Sequence, residues 1–275
     1  MIHDLLSNDD QLRFLVDPDV LECAGSEPFE TLAAEMNAFA AFHDLSGADV
    51  VNLYMRFLRR HVANQGRFAK TGKYPFELDG AVADVPRLEY ELALILSTLT
   101  TRPRHRVMEL LYSGAGLEGA SGLREGVIIG VGPGLENAML KGRFDRLVGY
   151  DPHLSAFPAR SGSSAELVAG FFDGTREGDE PRAYYAVEVL EHLPQPFSLL
   201  DVIVDSAAPG SIAVLTTIRD EPQFDHLYNF VPGEVERYAC GRGLRVRFHE
   251  RIPHKAVGHR SPAENEFFVL ELPGR

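Results

Sequence analysis

The first hundred residues place apolar side chains at spacings of three and four, which is the period of an amphipathic helix. The pattern covers residues 27–45 and 48–68. A third stretch spans residues 84–101, and Pro103 separates it from a fourth at 105–116 that ends in glycines. The amino-terminal part of the chain is therefore predicted to be all helix.

From Gly126 the pattern changes to short apolar runs separated by turns and helices, as the strands of a parallel sheet require. Seven runs have this character, at residues 127–132, 146–151, 165–172, 183–190, 211–218, 244–252 and 266–272. Helical candidates lie between them, notably residues 194–207 and 232–243. The alternation predicts an α/β domain at residues 105–275, preceded by a helical segment at 1–104.

The first apolar run, VIIGVGPG, leads into a turn that contains Gly130, Gly132 and Gly134. Glycines let the backbone approach a ligand closely, and the helix that follows presents free N–H groups. The second run, LVGYD, ends in Asp151, where a carboxylate can accept both ribose hydroxyls of a nucleoside. A tight strand-to-helix turn and a turn-capping aspartate are the structural alternatives. Together the two strand ends predict a nucleoside-binding crevice.

The segment EVLEHLP at residues 188–194 resembles the signature of class I S-adenosylmethionine-dependent methyltransferases, in particular the branch of the ubiquinone-type O-methyltransferases. Residues 207–212, AAPGSI, resemble the turn before strand five of that family, and residues 230–235, FVPGEV, resemble the start of its last helix. The resemblance covers roughly residues 105–275. It implies a doubly wound, mostly parallel seven-stranded sheet with S-adenosylmethionine as the cofactor.

The resemblance also implies which residues contact the cofactor. The implied contacts are Gly130, Gly132 and Gly134 at the methionine moiety, Asp151 at the ribose, Phe172 and Asp173 at the adenine, and Glu188 at the end of strand four. One position departs from the family, whose first motif usually carries an acid two residues before the first glycine. Ile128 stands there, and Asn137 or Glu136, just past the glycines, could substitute for the acid.

Methyl transfer to a hydroxyl or an amine needs an aligned, deprotonated acceptor, and histidine is a suitable general base at neutral pH. His192 and His226 are the candidates, and Glu191 is a further substrate or catalytic contact that the resemblance implies. A turn histidine bonded to the backbone is the structural alternative for each. We therefore expect a methyltransferase acting on a small molecule of secondary or cofactor metabolism.

Two other functions stay open on sequence alone. The same fold resembles enzymes that transfer the aminocarboxypropyl arm of S-adenosylmethionine, or cyclise it to azetidine-2-carboxylate, and release methylthioadenosine. Ile128 and the aromatic pair Tyr184 and Tyr185 are compatible with that chemistry, because a sulfonium favours aromatic faces. The other alternative is a non-catalytic module that has kept the cofactor pocket.

Residues 1–104 are predicted to form a helical lid over the cofactor crevice, since such a segment commonly shapes the substrate site in these enzymes. Tyr74, in the irregular stretch TGKYPFE, is the lid residue we expect at the substrate, and Tyr228 is expected there from the other part of the chain. Helix packing is the alternative role for the lid's other aromatic residues.

The composition of the chain limits the classes of partner and ligand that we expect it to bind. A formal net charge of −13, from 40 acidic and 27 basic residues, repels phosphate backbones and anionic lipids, so we expect neither nucleic acid nor membrane as a partner. Two cysteines without CxxC spacing, and histidines at 249, 254 and 259 without ligand spacing, predict no metal. The acidic amino terminus lacks the basic character of a signal peptide, so we expect a cytoplasmic protein. A homodimer stays open.

Overall fold

A computed structural model describes residues 1–73, 85–118, 120, 122–157, 165–175, 179–219, 223–254 and 263–273. Helices dominate the first part of the described chain. They are α1 (Ile2–Asn8), α2 (Asp10–Leu15), α3 (Pro18–Leu21), α4 (Glu27–Phe42), α5 (Gly47–Thr71), α6 (Arg87–Thr100) and α7 (Arg102–Ser113). None of the helices in the described ranges has the length and apolar character that a membrane crossing requires.

The longest of these helices, α5, is capped at both ends by residues that favour a helix terminus. Ser46 accepts a hydrogen bond from the Asp49 backbone N–H, and the Asp49 carboxylate accepts one from the Ser46 N–H, which forms a capping box. At the other end Gly72 takes a left-handed conformation with φ of 63°. These local signals explain why the sequence predicts this helix well.

The second part of the chain forms a seven-stranded sheet with the strand order β3-β2-β1-β4-β5-β7-β6. Its strands are β1 (Glu125–Ile129), β2 (Arg146–Asp151), β3 (Glu166–Ala169), β4 (Arg182–Ala186), β5 (Ile212–Arg219), β6 (Arg245–Pro253) and β7 (Glu264–Glu271). Strands β1 to β5 are parallel, and β7 runs antiparallel to both β5 and β6. The predicted seven-stranded, mostly parallel α/β sheet is confirmed.

Helices cover both faces of the sheet, so alternate strand residues enter different cores. On one face Ile128 and Tyr185 pack in the core that also contains α4, α6 and α7. On the other face Val127 and Tyr184 pack against α9 (Pro196–Ser206) and α10 (Glu234–Gly241). This arrangement agrees with the predicted doubly wound fold.

The helices before β1 cover a part of the sheet that the connections between the parallel strands leave uncovered. Helix α8 (Leu135–Met139), between β1 and β2, has five residues, and the described residues between β2 and β3 and between β3 and β4 contain no helix. Helices α4 and α7 pack against α8 instead. Helix α7 also runs across the predicted boundary at residue 104. The amino-terminal helices therefore belong to the same hydrophobic core as the sheet.

Candidate functional site

The candidate site lies where β1, β2 and β4 end, at the point where the strand order reverses between β1 and β4. Gly130 begins the loop after β1 in a left-handed conformation with φ of 82°. A Cβ atom at Gly130 would lie 2.4 Å from Val189 Cγ2, on the segment that follows β4. Only glycine allows the two segments to approach this closely.

Asp151, the last residue of β2, holds the glycine loop through its carboxylate. The Gly132 N–H donates to Asp151 Oδ2 at 2.8 Å, and the His153 N–H donates to Oδ1 at 2.7 Å. The structure thus brings the predicted glycines and the predicted acid together at one crevice. Each carboxylate oxygen keeps a lone pair with which it can accept a further hydrogen bond.

Glu188 follows β4 in a strained backbone conformation, with φ of 53°. Its backbone N–H donates to Thr216 Oγ1 at 2.7 Å. Its carboxylate accepts a hydrogen bond from Asn265 Nδ2 at 2.7 Å and pairs with Arg104 at 3.3 Å. Residues of β5, β7 and α7 therefore fix this side chain at the crevice, next to the glycine loop.

Two polar side chains on α8 are buried directly after the glycine loop. Glu136 is 8% exposed, and burial raises its pKa to about 8, with the negative charges of Glu188 and Asp151 adding to the rise. Asn137 is 2% exposed, and both polar atoms of its amide lack a hydrogen-bond partner among the described residues. A bound ligand would supply the hydrogen-bond partners that this buried amide lacks.

Neither a protein-family model nor a curated protein sequence matches the chain. Among solved structures, human N-acetylserotonin methyltransferase in complex with S-adenosylmethionine gives a TM-score of 0.55 at 13% identity, over 82% of this chain and 70% of that one. The chain has the class I methyltransferase fold. N-methyltransferase NodS from Bradyrhizobium japonicum gives a TM-score of 0.44 at 19% identity, over 62% and 94% of the two chains. The [4+2]-cyclase SpnF gives a TM-score of 0.48 at 12% identity, over 62% of this chain and 82% of that one.

The predicted catalytic residues form one cluster in this methyltransferase fold: Glu191 and His192 follow β4, and His226 follows β5. Glu191, His192 and His226 each offer a ligand atom, and the three atoms lie within 4.8 Å of one another. The two imidazole rings are 5.4 Å apart. Glu191 is 1% exposed, and burial raises the pKa of its carboxyl group, with the charge of Glu188 as a further cause. The sequence predicts no metal, but this donor set is suited to a divalent cation.

His192 has a defined tautomer in this cluster. Its Nδ1 lies 2.7 Å from the carbonyl oxygen of Asp225, and a carbonyl oxygen can only accept, so Nδ1 carries the proton. In the neutral ring this bond leaves the lone pair on Nε2, which is the form that a general base requires. The bond to the backbone and the role of a base are therefore compatible in one residue.

The amino-terminal helices contribute residues that sequence reasoning did not assign to the site. Burial raises the pKa of the Tyr90 hydroxyl to about 12, and this group of α6 also interacts electrostatically with Arg104, Asp225, Glu191 and Asp151. Arg104, on α7, reaches Glu188. Nothing in the local sequence of either residue marks a site, because the helices meet the crevice only through tertiary packing.

Helix α5 also contacts the segment that carries His226. Gln65 Oε1 accepts a hydrogen bond from the Phe224 N–H at 3.1 Å, and the His61 ring lies 5.0 Å from the Phe224 ring. The amino-terminal helices therefore touch the crevice from α5, α6 and α7. Their role as a lid stays a prediction. Tyr74 lies outside the described residues.

The three described tyrosines predicted at the substrate have different environments. Tyr184 and Tyr185 point to opposite faces of β4, and both are buried in the hydrophobic cores. Neighbouring strand residues cannot both face one ligand, so this prediction is wrong. The Tyr228 hydroxyl donates to Glu234, and its ring packs against Phe197 and Phe230 beside α10. Its backbone N–H donates to the Glu191 carbonyl oxygen at 3.1 Å, beside the cluster of Glu191, His192 and His226, so its contact with the substrate stays a prediction.

The two residues predicted at the adenine differ in environment. Phe172 is buried, with its ring 5.3 Å from that of Tyr150 and 5.9 Å from that of Tyr184. Asp173 is exposed, and its Oδ1 accepts hydrogen bonds from the backbone N–H and the hydroxyl of Thr175. The adenine contacts of these two residues stay predictions.

Proposed function

We propose that the protein is an S-adenosylmethionine-dependent methyltransferase acting on a small molecule. The observation that carries this proposal is the hydrogen bond from the Gly132 N–H to Asp151 Oδ2, made at the strand-order reversal of a class I methyltransferase fold. It holds a glycine loop and a carboxylate side by side, as a nucleoside with a charged amino-acid arm requires. Asp151 would bind the ribose hydroxyls with its remaining lone pairs.

Activation of the acceptor is assigned to the cluster of Glu191, His192 and His226. When bound, S-adenosylmethionine supplies a methyl group on a positively charged sulfur. Nε2 of His192 accepts the proton of the acceptor's hydroxyl or amine as the acceptor attacks, and the buried carboxylate of Glu191 stabilises the imidazolium. His226 packs edge-on against the His192 ring and fixes its orientation.

A divalent cation is the second way in which the same cluster could activate an acceptor. Glu191 Oε2 is buried without a hydrogen-bond partner among the described residues, which fits the donor of a metal site. A cation held there would lower the pKa of a bound hydroxyl. Dialysis against a chelator, followed by metal analysis and activity measurements, separates this arrangement from catalysis by His192 alone.

The acceptor is proposed to be a small molecule rather than nucleic acid, because the chain carries a net charge of −13. Methyl transfer is preferred over transfer of the aminocarboxypropyl arm. The aromatic pair that favoured the latter, Tyr184 and Tyr185, lies in the cores. The remaining support for aminocarboxypropyl transfer is that Ile128 stands where the family usually has an acid.

Binding and product analysis test the proposal. Calorimetry with S-adenosylhomocysteine should show saturable binding to the purified protein. Incubation with S-adenosylmethionine alone should leave the cofactor intact, and an acceptor screen should yield S-adenosylhomocysteine only with the proper acceptor. Methylthioadenosine above the spontaneous background, formed without an acceptor, would replace methyl transfer by the cyclisation reaction.

A further inference from the structure

Three carboxylates lie around the glycine loop of the crevice, and they have different partners. Asp151 accepts two backbone N–H groups, and Glu188 is bonded to Asn265 and Arg104. Glu136 has neither a cation nor a hydrogen bond from another residue within the described chain, although it is 8% exposed. A carboxyl group buried in this way is destabilised in its charged form unless a ligand supplies the missing positive charge.

The position of Glu136 places this carboxyl group at the crevice. It lies in the first turn of α8, two residues after Gly134, and it interacts electrostatically with the strand-end acids Asp151 and Glu188. Its neighbour Asn137 is buried with an unpartnered amide. Ile128, by contrast, is buried in the core beneath the helices and offers no charge. The buried Glu191 differs, because its carboxylate lies within 4.8 Å of a ring nitrogen of both His192 and His226, whereas no cation or histidine among the described residues is paired with Glu136.

The other charged groups on the elements around α8 already have partners. On α7, Arg104 pairs with Glu188. Arg102 and Arg106 of the same helix bond to Glu109. On α4, Glu35 interacts electrostatically with Lys141 rather than with Glu136. No positive charge from α4 or α7 in the described residues compensates Glu136.

We propose that Glu136 binds the α-ammonium group of the cofactor's methionine moiety, an inference that rests on the cofactor binding proposed above. An ammonium is the ligand group that matches a buried carboxyl in charge and in hydrogen bonding, since it offers three N–H donors. Asn137 lies beside it and can accept one of these donors or donate to the neighbouring carboxylate.

Pairing of Glu136 with an ammonium group should release a proton, and this release can be measured. The carboxyl group of Glu136, with its pKa of about 8, is about 90% protonated in the free protein at pH 7. Binding of an ammonium favours the carboxylate, so the carboxyl proton leaves to the buffer as the ion pair forms. Affinity must then rise with pH up to about 8, because a ligand that releases a proton binds more tightly as protons become scarce.

The experiment is calorimetry of S-adenosylhomocysteine at pH 7 in two buffers with different ionisation enthalpies. We expect release of about 0.9 proton by the wild type, and an affinity that rises roughly eightfold from pH 6.5 to 7.5. Glu136→Gln keeps the shape but cannot ionise, so it should release almost no proton and show a flat pH profile. Glu35→Gln removes another carboxyl whose pKa burial raises, and it should behave as the wild type.

Methylthioadenosine is the matched ligand, because it lacks the ammonium and carboxylate. It should bind the wild type and Glu136→Gln equally, without proton release. Proton release that persists in Glu136→Gln would overturn the inference, as would equal weakening of both ligands, which indicates a distorted crevice. If neither ligand binds the wild type, the proposed cofactor itself is wrong.

Discussion

Replacing Glu188 by glycine separates the backbone strain at the crevice from the contacts that hold it. Glu188 and Asp44 are the described non-glycine residues with positive φ, at 53° and 52°. Asp44 is exposed and makes no side-chain hydrogen bond within the described residues, so Asp44→Gly reports backbone relief alone. Left-handed conformation costs an ordinary residue about 1–2 kcal/mol, and glycine loses about 0.5–1 kcal/mol more entropy on folding. Asp44→Gly should therefore stabilise the protein by about 0.5 kcal/mol.

The contacts of Glu188 outweigh this relief. The hydrogen bond from Asn265 to its carboxylate contributes about 1.5–3 kcal/mol, because Asn265 is 1% exposed and its amide would lose its partner. The partly exposed pair with Arg104 adds about 0–1 kcal/mol. Glu188→Gly should thus destabilise the protein by about 1–3.5 kcal/mol, whereas Glu188→Gln, which can still accept from Asn265, should lose less than about 1 kcal/mol.

Urea denaturation of the three variants and the wild type measures these differences. The free energy of unfolding should rank Asp44→Gly above the wild type, and Glu188→Gly below Glu188→Gln. If Glu188→Gly is as stable as Asp44→Gly, the contacts from α7 and β7 contribute nothing, and the reasoning about how this side chain is held is refuted.

Three further outcomes follow from the site and the core. Asp151→Asn should weaken S-adenosylhomocysteine binding by about 1.5–3 kcal/mol in calorimetry, and unchanged affinity would remove Asp151 from the cofactor site. Gly130→Ala should destabilise the protein more than Gly142→Ala in urea denaturation, because both positions have left-handed φ but only Gly130 faces Val189 at 2.4 Å; equal losses would show that this close approach is unimportant. A chain shortened by residues 1–101 should not fold cooperatively by circular dichroism, and a soluble, active fragment would contradict the shared core.

The sheet could be predicted from the sequence because its strands are short apolar runs bounded by turns. All seven predicted runs overlap the observed strands, and both helices predicted between them are present as α9 and α10. The glycine loop and Asp151 could also be predicted to meet, since parallel strand ends share one edge of a sheet. Their role in binding the cofactor stays a prediction.

Side chains that depend on tertiary packing could not be predicted in the same way. In the sequence, the adjacent Tyr184 and Tyr185 suggest one aromatic surface. In the strand, neighbouring side chains point to opposite faces of the sheet, so the two rings lie in separate cores. Conversely, Tyr90 and Arg104 belong to ordinary amphipathic helices, and only the packing of α6 and α7 on the sheet brings them to the crevice. Local patterns contain no information about either arrangement.

The short crossovers link the stability of this protein to its site. With five residues, α8 covers little of the sheet face, and α4, α6 and α7 complete that core. The same helices carry Tyr90 and Arg104, so a change that loosens the core also displaces polar groups from the crevice. Loss of activity after truncation would therefore say nothing about substrate contacts. Point substitutions that remove a crevice group and keep the buried side chains in place, such as Tyr90→Phe, are needed to separate the two roles.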